Sequence, residues 1–262
     1  MVAFPQLLGF ATIWPTPRNV LLPNIKLMVW IRSLIFTLGQ CLFTIVFCTL
    51  GLLTFPFKPH TRYRFLSTWA RCMLWWLRVC CGLSFKVTGA ENIPATPSII
   101  LCKHQSAWET LALQVIFPPQ VWVMKRELLL IPFFGWCLAL TSPIAINRAA
   151  GREALKQLVT QGKDRLAKMF FVVIFPEGTR TAPGKRGKYH IGGAWLATHT
   201  STQVVPVAHN AGEFWPKNSL LKRPGVIQIH IGKPIQSVDI KTDALNQQVE
   251  DWIENEMTKL NG

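Results

Sequence analysis

The 262-residue sequence contains no aspartate or glutamate between residues 1 and 90. The same stretch holds nine lysine or arginine residues, and the whole chain has 28 basic and 13 acidic residues, a formal net charge of +15. Acid-free, basic sequence interleaved with Leu, Phe and Trp is typical of a segment that binds an anionic bilayer. Nucleic acid is the other usual partner of a basic protein, but the interleaved apolar side chains favour a membrane. We therefore expect anionic membrane lipids as partners and no nucleic acid.

The sequence also lacks the C-x-x-C pairs of zinc and redox sites, and its seven cysteines are an odd number. Neither a disulfide framework nor a zinc site is indicated, so we expect buried thiols in a reducing compartment. Half of the residues are apolar and 11 are Trp, which excludes a disordered chain. Only one apolar run is long enough to cross a bilayer, which argues against a many-helix membrane protein.

Residues 1–84 are predicted to form a helical membrane anchor. Residues 33–57 carry no charge, and as a helix they would extend roughly 37 Å against a hydrocarbon core of about 30 Å. The sequence leaves open whether this segment crosses fully or dips into one leaflet, and a buried hairpin is the alternative. Residues 65–84 place Arg71 and Arg78 on one helical face and Trp and Leu on another, which is typical of a helix in the headgroup region. More positive charge follows the apolar segment than precedes it, which favours a cytoplasmic remainder.

The pattern changes at residue 85, and residues 85–262 are predicted to form an α/β domain with a mostly buried mixed sheet flanked by helices. Short apolar runs predict strands at 98–102, 120–124, 143–146, 170–175 and 204–208, and an alternating run predicts one at 226–231. Amphipathic helices are predicted at 153–168 and 243–260.

A histidine and a carboxylate follow the first buried run. His104 lies directly after residues 98–102 and Glu109 five residues further on, at a strand end where α/β proteins place ligands. If His104 lies in the loop and Glu109 in the first helical turn, the carboxylate can hold one imidazole nitrogen and leave the other as a general base. The alternative is a capping box, S-x-x-E from Ser106 to Glu109, in which Glu109 only fixes a helix N-terminus.

Two further polar clusters follow other strands. The sequence F-P-E-G-T-R occupies residues 175–180: Gly178 allows close backbone approach, Arg180 offers donors suited to a phosphate, and Glu177 can hold Arg180 or a substrate hydroxyl. Arg148 follows the run 143–146. Taken singly, these are a β-turn with a surface ion pair and a solvated arginine. Three clusters at three strand ends instead predict one site, in which a base removes a proton from a hydroxyl beside a bound phosphate.

The sequence resembles the glycerolipid acyltransferases in the order of four motifs: H-x-x-x-x-acid, an arginine-bearing strand end, F-P-E-G-T-R and a V-V-P-V strand. The closest type is the bacterial 1-acylglycerol-3-phosphate (lysophosphatidate) acyltransferase, and the resemblance runs from about residue 85 to 236. The family's usual acid is Asp, and this chain has Glu109. One extra methylene moves the carboxylate by roughly 1.5 Å, which side-chain rotation absorbs.

The resemblance implies a reaction. His104 would deprotonate the sn-2 hydroxyl of lysophosphatidate, which attacks an acyl thioester of coenzyme A or acyl carrier protein to give phosphatidate, while Glu109 orients His104. The glycerol phosphate would be held by Arg148, Glu177, Gly178, Thr179, Arg180 and Lys125. The resemblance implies no metal, no cofactor besides the acyl co-substrate, and no covalent enzyme intermediate. It places the protein at the bacterial inner membrane, with the catalytic domain facing the cytoplasm.

Other hypotheses stay open at this point. The acceptor could be another lysolipid, such as lyso-ornithine lipid, or the chain could be a catalytically silent lipid-binding membrane protein. The basic run at 185–188 could dock the acidic acyl carrier or the phosphates of the coenzyme, or be a solvated loop. The remaining histidines have no partner at a meaningful sequence spacing, and we interpret them as structural; they are His60, His190, His199, His209 and His230.

Overall fold

A computed structural model describes residues 23–261. Predictions for residues 1–22 lie outside the described residues. The helices are α1 Pro23–Leu52, α2 Pro59–Cys81, α3 Trp108–Ile116, α4 Phe134–Leu140, α5 Arg152–Ala167, α6 Gly192–Thr200, α7 Ala211–Phe214 and α8 Thr242–Asn261. The strands are β1 Leu83–Thr88, β2 Ile99–Cys102, β3 Gln120–Lys125, β4 Ile144–Ile146, β5 Phe171–Ile174, β6 Val204–His209 and β7 Gly225–Ile231.

The strands form one seven-stranded sheet in the order β1-β7-β6-β2-β5-β3-β4. Neighbouring strands are parallel except for the antiparallel pair β6–β7. Alternate residues of β2 face opposite sides of the sheet: Ile100 packs in the cluster with α2 and α3, and Ile99 and Leu101 pack in the cluster with α5, α6 and α8. The predicted α/β class, a buried mixed sheet flanked by helices, is confirmed.

The sheet contains one strand that the sequence pattern did not predict. β1 begins at Leu83, so the predicted division after residue 84 cuts through the first strand. The preceding helix, predicted at 65–84, is α2 and starts six residues earlier, with Pro59 at its first turn where a missing N–H costs nothing. It ends where Gly82 adopts φ 65°, a left-handed conformation that glycine adopts without strain.

Helices α1 and α2 pack against each other as an apolar hairpin. Residues Ile25–Leu52 are long and apolar enough to cross a membrane by length and composition. Many large apolar side chains of α1 are exposed. The turn after α1 contributes three more exposed apolar side chains, Leu53, Phe55 and Phe57. So large an exposed apolar surface indicates a membrane or partner contact.

Both halves of α1 contact the α/β domain. Near its start, Phe36 packs edge-on against Trp215 with ring centroids 5.5 Å apart, and Thr37 Oγ1 accepts a hydrogen bond of 3.0 Å from Lys222 Nζ. Twelve residues after Phe36, the Cys48 carbonyl oxygen accepts a 3.4 Å hydrogen bond from the Cys137 thiol of α4. The helix therefore lies along the domain over roughly 20 Å.

Candidate active site

The carboxyl ends of five parallel strands meet at one edge of the sheet. Because β4, β3, β5, β2 and β6 run in the same direction, the residues that follow them gather at that edge, where α/β proteins bind ligands. His104 follows β2, Arg148 follows β4 and the 175–180 segment follows β5. The structure thus brings together three clusters that the sequence distributes between residues 104 and 180.

His104 and Glu109 form a hydrogen-bonded pair. The distance from His104 Nδ1 to Glu109 Oε1 is 2.7 Å. Since a carboxylate only accepts, Nδ1 carries the proton in this pair, and Nε2 keeps a lone pair that can accept another proton. The imidazole also stacks on the Phe175 ring, with centroids 3.9 Å apart and planes 12° from parallel. This stacking restricts the orientation of the imidazole plane.

Glu109 combines both roles that the sequence offered as alternatives. Its carboxylate accepts hydrogen bonds from the backbone amides of Gln105 at 3.0 Å and Ser106 at 2.9 Å as well as from His104. The amide of Trp108 donates to the Ser106 hydroxyl at 3.1 Å, so the S-x-x-E segment caps α3. The cap holds the carboxylate, and the carboxylate holds the imidazole.

Glu109 is fully buried. Burial by itself raises the pKa of Glu109, but His209, the hydrogen bond and charge of His104 and the amide of Ser106 together outweigh it and hold that pKa below the ordinary value. Burial in turn lowers the pKa of His209, so its ring becomes charged at a lower pH than that of an ordinary histidine.

His209 was not expected to contribute to the site, and the structure places it directly behind the pair. Its Nε2 lies 3.9 Å from Glu109 Oε2 and donates to the Lys103 carbonyl oxygen at 2.9 Å. Its Nδ1 accepts from the amide of Ala211 at 3.2 Å. Both ring nitrogens therefore have hydrogen-bond partners when the ring is neutral. His209 packs beside the Glu109 carboxylate.

The lowered pKa of Glu109 predicts a pH-dependent contribution to stability. A carboxyl whose pKa is depressed in the folded state stabilises the protein fully above its unfolded pKa of about 4.3, and this contribution is lost as the pH falls through the folded pKa. We expect the thermal midpoint of Glu109→Gln to lie below that of the wild type at pH 7, and the gap to narrow below about pH 4.3. Thermal unfolding of both proteins from pH 7 to 3.5 measures this; a constant gap would contradict it.

Glu177 lies at the centre of a buried ionic cluster rather than on an open surface. Its Oε1 accepts from Lys103 Nζ at 2.8 Å and from the Thr181 hydroxyl at 3.0 Å, and its Oε2 accepts from the amide of His104 at 3.0 Å. The side chains of Lys103 and Glu177 are 1% and 0% exposed. The charge partner of Glu177 is thus Lys103 and not Arg180, and its carboxylate fixes the backbone of His104.

The remaining predicted phosphate ligands line the same edge. Gly178 has φ 66°, and an added Cβ would lie 3.4 Å from the His190 ring, so a larger residue is strained there. Arg148 Nη1 donates to the Gly178 carbonyl oxygen at 2.8 Å, and the Thr179 hydroxyl accepts from Lys217 Nζ at 3.4 Å. Lys217 is a cation that the sequence pattern did not single out.

Two predicted cations have no hydrogen bond to this cluster in the part of the chain that the structure describes. Arg180 is half-buried, and among the residues that the structure describes it forms no ion pair. Lys125 ends β3, where it is exposed and pairs in register with Ile146, two residues before Arg148. His190 was interpreted as structural, but it lies beside Gly178 at the surface of the cavity described next.

A cavity of about 420 Å³ opens beside the 175–180 segment. One part of its lining is apolar and comes from β3, β4, β5, α5 and the start of α6. The polar part consists of Arg148, Glu177, Gly178, Thr179 and His190. Phe175 belongs to both features, since its ring lines the cavity and stacks on His104. A molecule with an apolar chain and an anionic group fits such a lining.

This geometry fits deprotonation of a hydroxyl group by His104 in a site that also binds an anion. The oriented imidazole has a ring nitrogen that can accept a proton, and Arg148, Gly178 and Thr179 carry donors that can bind an oxyanion. Within residues 23–261, no three His, Cys, Asp or Glu side chains come together as a metal-ligand set.

The comparisons with known proteins agree on a class. Residues 84–210 match the family model described as Acyltransferase. The chain is 45% identical over 235 residues to the 1-acyl-sn-glycerol-3-phosphate acyltransferase of Pseudomonas aeruginosa, covering 88% of this chain and 91% of that protein. It is 30% identical over 240 residues to the Saccharomyces cerevisiae protein of the same name, covering 86% and 75%.

Among solved structures, the crystal structure of the 1-acyl-sn-glycerophosphate (LPA) acyltransferase PlsC from Thermotoga maritima has the same fold. Its TM-score is 0.75 at 21% identity, covering 90% of this chain and 98% of that one. Fold and site therefore define an acyltransferase. The chain belongs to the 1-acyl-sn-glycerol-3-phosphate acyltransferase family, and the resemblance noted in the sequence is confirmed.

Proposed function

We propose that this enzyme transfers an acyl chain from a thioester of coenzyme A or acyl carrier protein to the sn-2 hydroxyl of 1-acylglycerol-3-phosphate, giving phosphatidate. His104 Nε2 takes the hydroxyl proton, and the oxygen attacks the thioester carbonyl carbon. The tetrahedral intermediate then expels the thiolate, which receives the proton from the imidazolium. The observation that carries this proposal is the 2.7 Å bond from His104 Nδ1 to Glu109, since it leaves Nε2 as the free base.

Lysophosphatidate as the acceptor is supported by the cation and glycine cluster. Arg148 is held against Gly178, and an arginine fork is suited to a phosphate monoester. Thr179 and Arg180 continue the same segment, and Lys125 ends a strand on the same edge. Relatives at 45% and 30% identity are named for this acceptor.

The membrane arrangement is part of the proposal. α1 exposes apolar side chains on one face and contacts the α/β domain with both of its halves. A helix crossing the whole bilayer in this arrangement would draw Trp215, Lys222 and α4 into the hydrocarbon. We therefore place α1 and α2 within one leaflet of the bacterial inner membrane. The excess of positive charge after the apolar segment supports an active site on the cytoplasmic side.

The acceptor is tested with a panel of lysolipids. Purified protein in vesicles receives a labelled acyl thioester and either lysophosphatidate, lyso-ornithine lipid or a lysophospholipid with a head group. We expect efficient transfer to lysophosphatidate alone. In Arg148→Gln, the KM for lysophosphatidate should rise by about tenfold or more, since a charge-assisted contact to phosphate is lost.

Exposed Arg152, which begins α5 four residues later, provides a matched control. Arg152→Gln should leave the KM within about twofold. If transfer to a lysolipid without a free phosphate monoester is faster, that lysolipid and not lysophosphatidate is the acceptor. Binding of lysolipid without any transfer would leave a silent lipid-binding protein.

A further inference from the structure

The C-terminal helix α8 reaches the catalytic loop through a buried charge. Glu254, in the middle of α8, lies beyond residues 84–210 that match the family model. Its Oε1 lies 2.8 Å from Lys103 Nζ, the same distance as Glu177 Oε1. Lys103 directly precedes His104 in the sequence. Glu254 is 151 residues from Lys103 in the sequence, but it contacts the residue next to the proposed base.

The ammonium of Lys103 needs both partners. Its side chain is 1% exposed, and a buried charge is strongly unfavourable unless it is paired and hydrogen-bonded. Its three donors have three acceptors: the carboxylates of Glu177 and Glu254, and the Lys185 carbonyl oxygen at 3.4 Å. With both carboxylates in place, the position of the ammonium between α8 and the 175–180 segment is fixed.

Glu254 is itself held in place. The Tyr189 hydroxyl donates to the same Oε1 at 2.7 Å, and Lys103 Nζ lies 5.9 Å from the centre of the Tyr189 ring, at the outer limit of a cation–π contact. The Glu254 side chain is 18% exposed. It touches neither His104 nor the large cavity, so any effect it has on the reaction passes through Lys103.

The path from Lys103 to His104 runs along two routes. Lys103 holds Glu177, whose Oε2 accepts the His104 amide. The Lys103 carbonyl oxygen accepts from His209, which packs behind Glu109. A shift of the Lys103 side chain would therefore displace the backbone on which the imidazole is mounted, and catalytic rates fall steeply with such displacements.

We propose that Glu254 is a positioning residue, which acts through Lys103 to hold His104 in its reactive geometry. This inference rests on the proposed function of His104. It makes α8 a part of the catalytic apparatus, although α8 contributes no group to the substrate cavity.

The test measures kcat and KM of Glu254→Gln, a nearly isosteric change that removes the charge. We expect kcat to fall by about tenfold with the KM for lysophosphatidate within about twofold, because the lost interaction does not touch the substrate. The matched control is Glu250→Gln, one helical turn earlier, which removes an ion pair to the largely exposed Arg186. Equal kcat values for the two variants would overturn the proposal.

A double-mutant cycle separates positioning from a general role of α8 in folding. In a Lys103→Met background, Glu254→Gln should change kcat by less than about twofold, because its route to His104 is already cut. An undiminished loss in that background would overturn the proposal. If Lys103→Met does not fold, Tyr189→Phe replaces it. We expect Tyr189→Phe to lower kcat, as Glu254→Gln does, and the double variant to lose less than the sum of the two single losses. Additive losses would contradict the coupling.

His104→Ala in the same assay keeps the two proposals apart. If His104→Ala is inactive and Glu254→Gln behaves like Glu250→Gln, only the role of Glu254 fails. If His104→Ala keeps wild-type activity, the proposed function of His104 fails, and the positioning role falls with it.

Discussion

Replacing His104 by alanine is expected to lower kcat/KM for acyl transfer by about 10³-fold, the range that a positioned general base contributes. The reason is geometric, since Glu109 holds Nδ1 and Phe175 stacks on the ring. His104 is partly exposed, so its loss should leave the fold intact. The measurement is the initial rate of product formation by purified protein at several acceptor concentrations, together with the thermal midpoint.

His199→Ala is the control for that result. His199 lies exposed on α6 and stacks on Trp195 with centroids 4.0 Å apart, away from the dyad. Its replacement should leave the rate within about twofold. Activity of His104→Ala equal to that of His199→Ala would show that another group accepts the hydroxyl proton.

The second large effect is expected at Glu177. Glu177→Gln leaves buried Lys103 with one carboxylate instead of two. It also places an amide NH₂, which cannot accept, against N–H groups that donate to the carboxylate in the wild type. Breaking a buried ion pair in this way costs about 3 kcal/mol or more, which for a chain of this size lowers the thermal midpoint by about 6–12 °C. Activity should fall by roughly tenfold or more as well, because the amide of His104 loses its acceptor.

Glu250→Gln serves as the comparison here too. Its partner Arg186 is 56% exposed, and a surface ion pair contributes about 0–1 kcal/mol. A midpoint shift of Glu177→Gln no larger than that of Glu250→Gln would mean that the buried cluster does not stabilise the fold. Calorimetry or intrinsic tryptophan fluorescence in the same detergent measures both.

The sheet could be predicted largely because its central strands are buried on both faces. Residues of β2 and β5 are all buried, and such strands appear in the sequence as continuous apolar runs. β1 escaped prediction because it is an edge strand, with exposed Lys86 and Thr88. Edge strands carry such residues to avoid further pairing, and their pattern resembles that of a loop.

The dyad was predictable because its two residues are five apart, so the local chain alone decides whether they can meet. The supporting shell was not. Lys103 pairs with Glu177 across 74 residues and with Glu254 across 151, and His209 reaches the Lys103 carbonyl oxygen across 106. No periodicity connects positions so far apart; only the strand order brings them together. For the same reason, the sequence did not show that the Glu177 carboxylate accepts from Lys103 and from the His104 amide; its contact with the substrate stays a prediction.

The Glu109 alternatives show a different limit. A capping box and a histidine partner were treated as competing interpretations of one side chain. Because a carboxylate has two oxygens and several lone pairs, the structure uses Glu109 for both purposes. The residue types alone did not indicate that the two roles are compatible.

The most direct test of the account is a single experiment with purified wild-type protein, lysophosphatidate and a thioester labelled in its acyl chain, donated by coenzyme A or by acyl carrier protein. If His104 is the general base, the wild type gives labelled phosphatidate whose label is released by hydrolysis at the sn-2 position, and His104→Ala gives no such product. Absence of labelled phosphatidate with both donors, or equal product with and without His104, would contradict it.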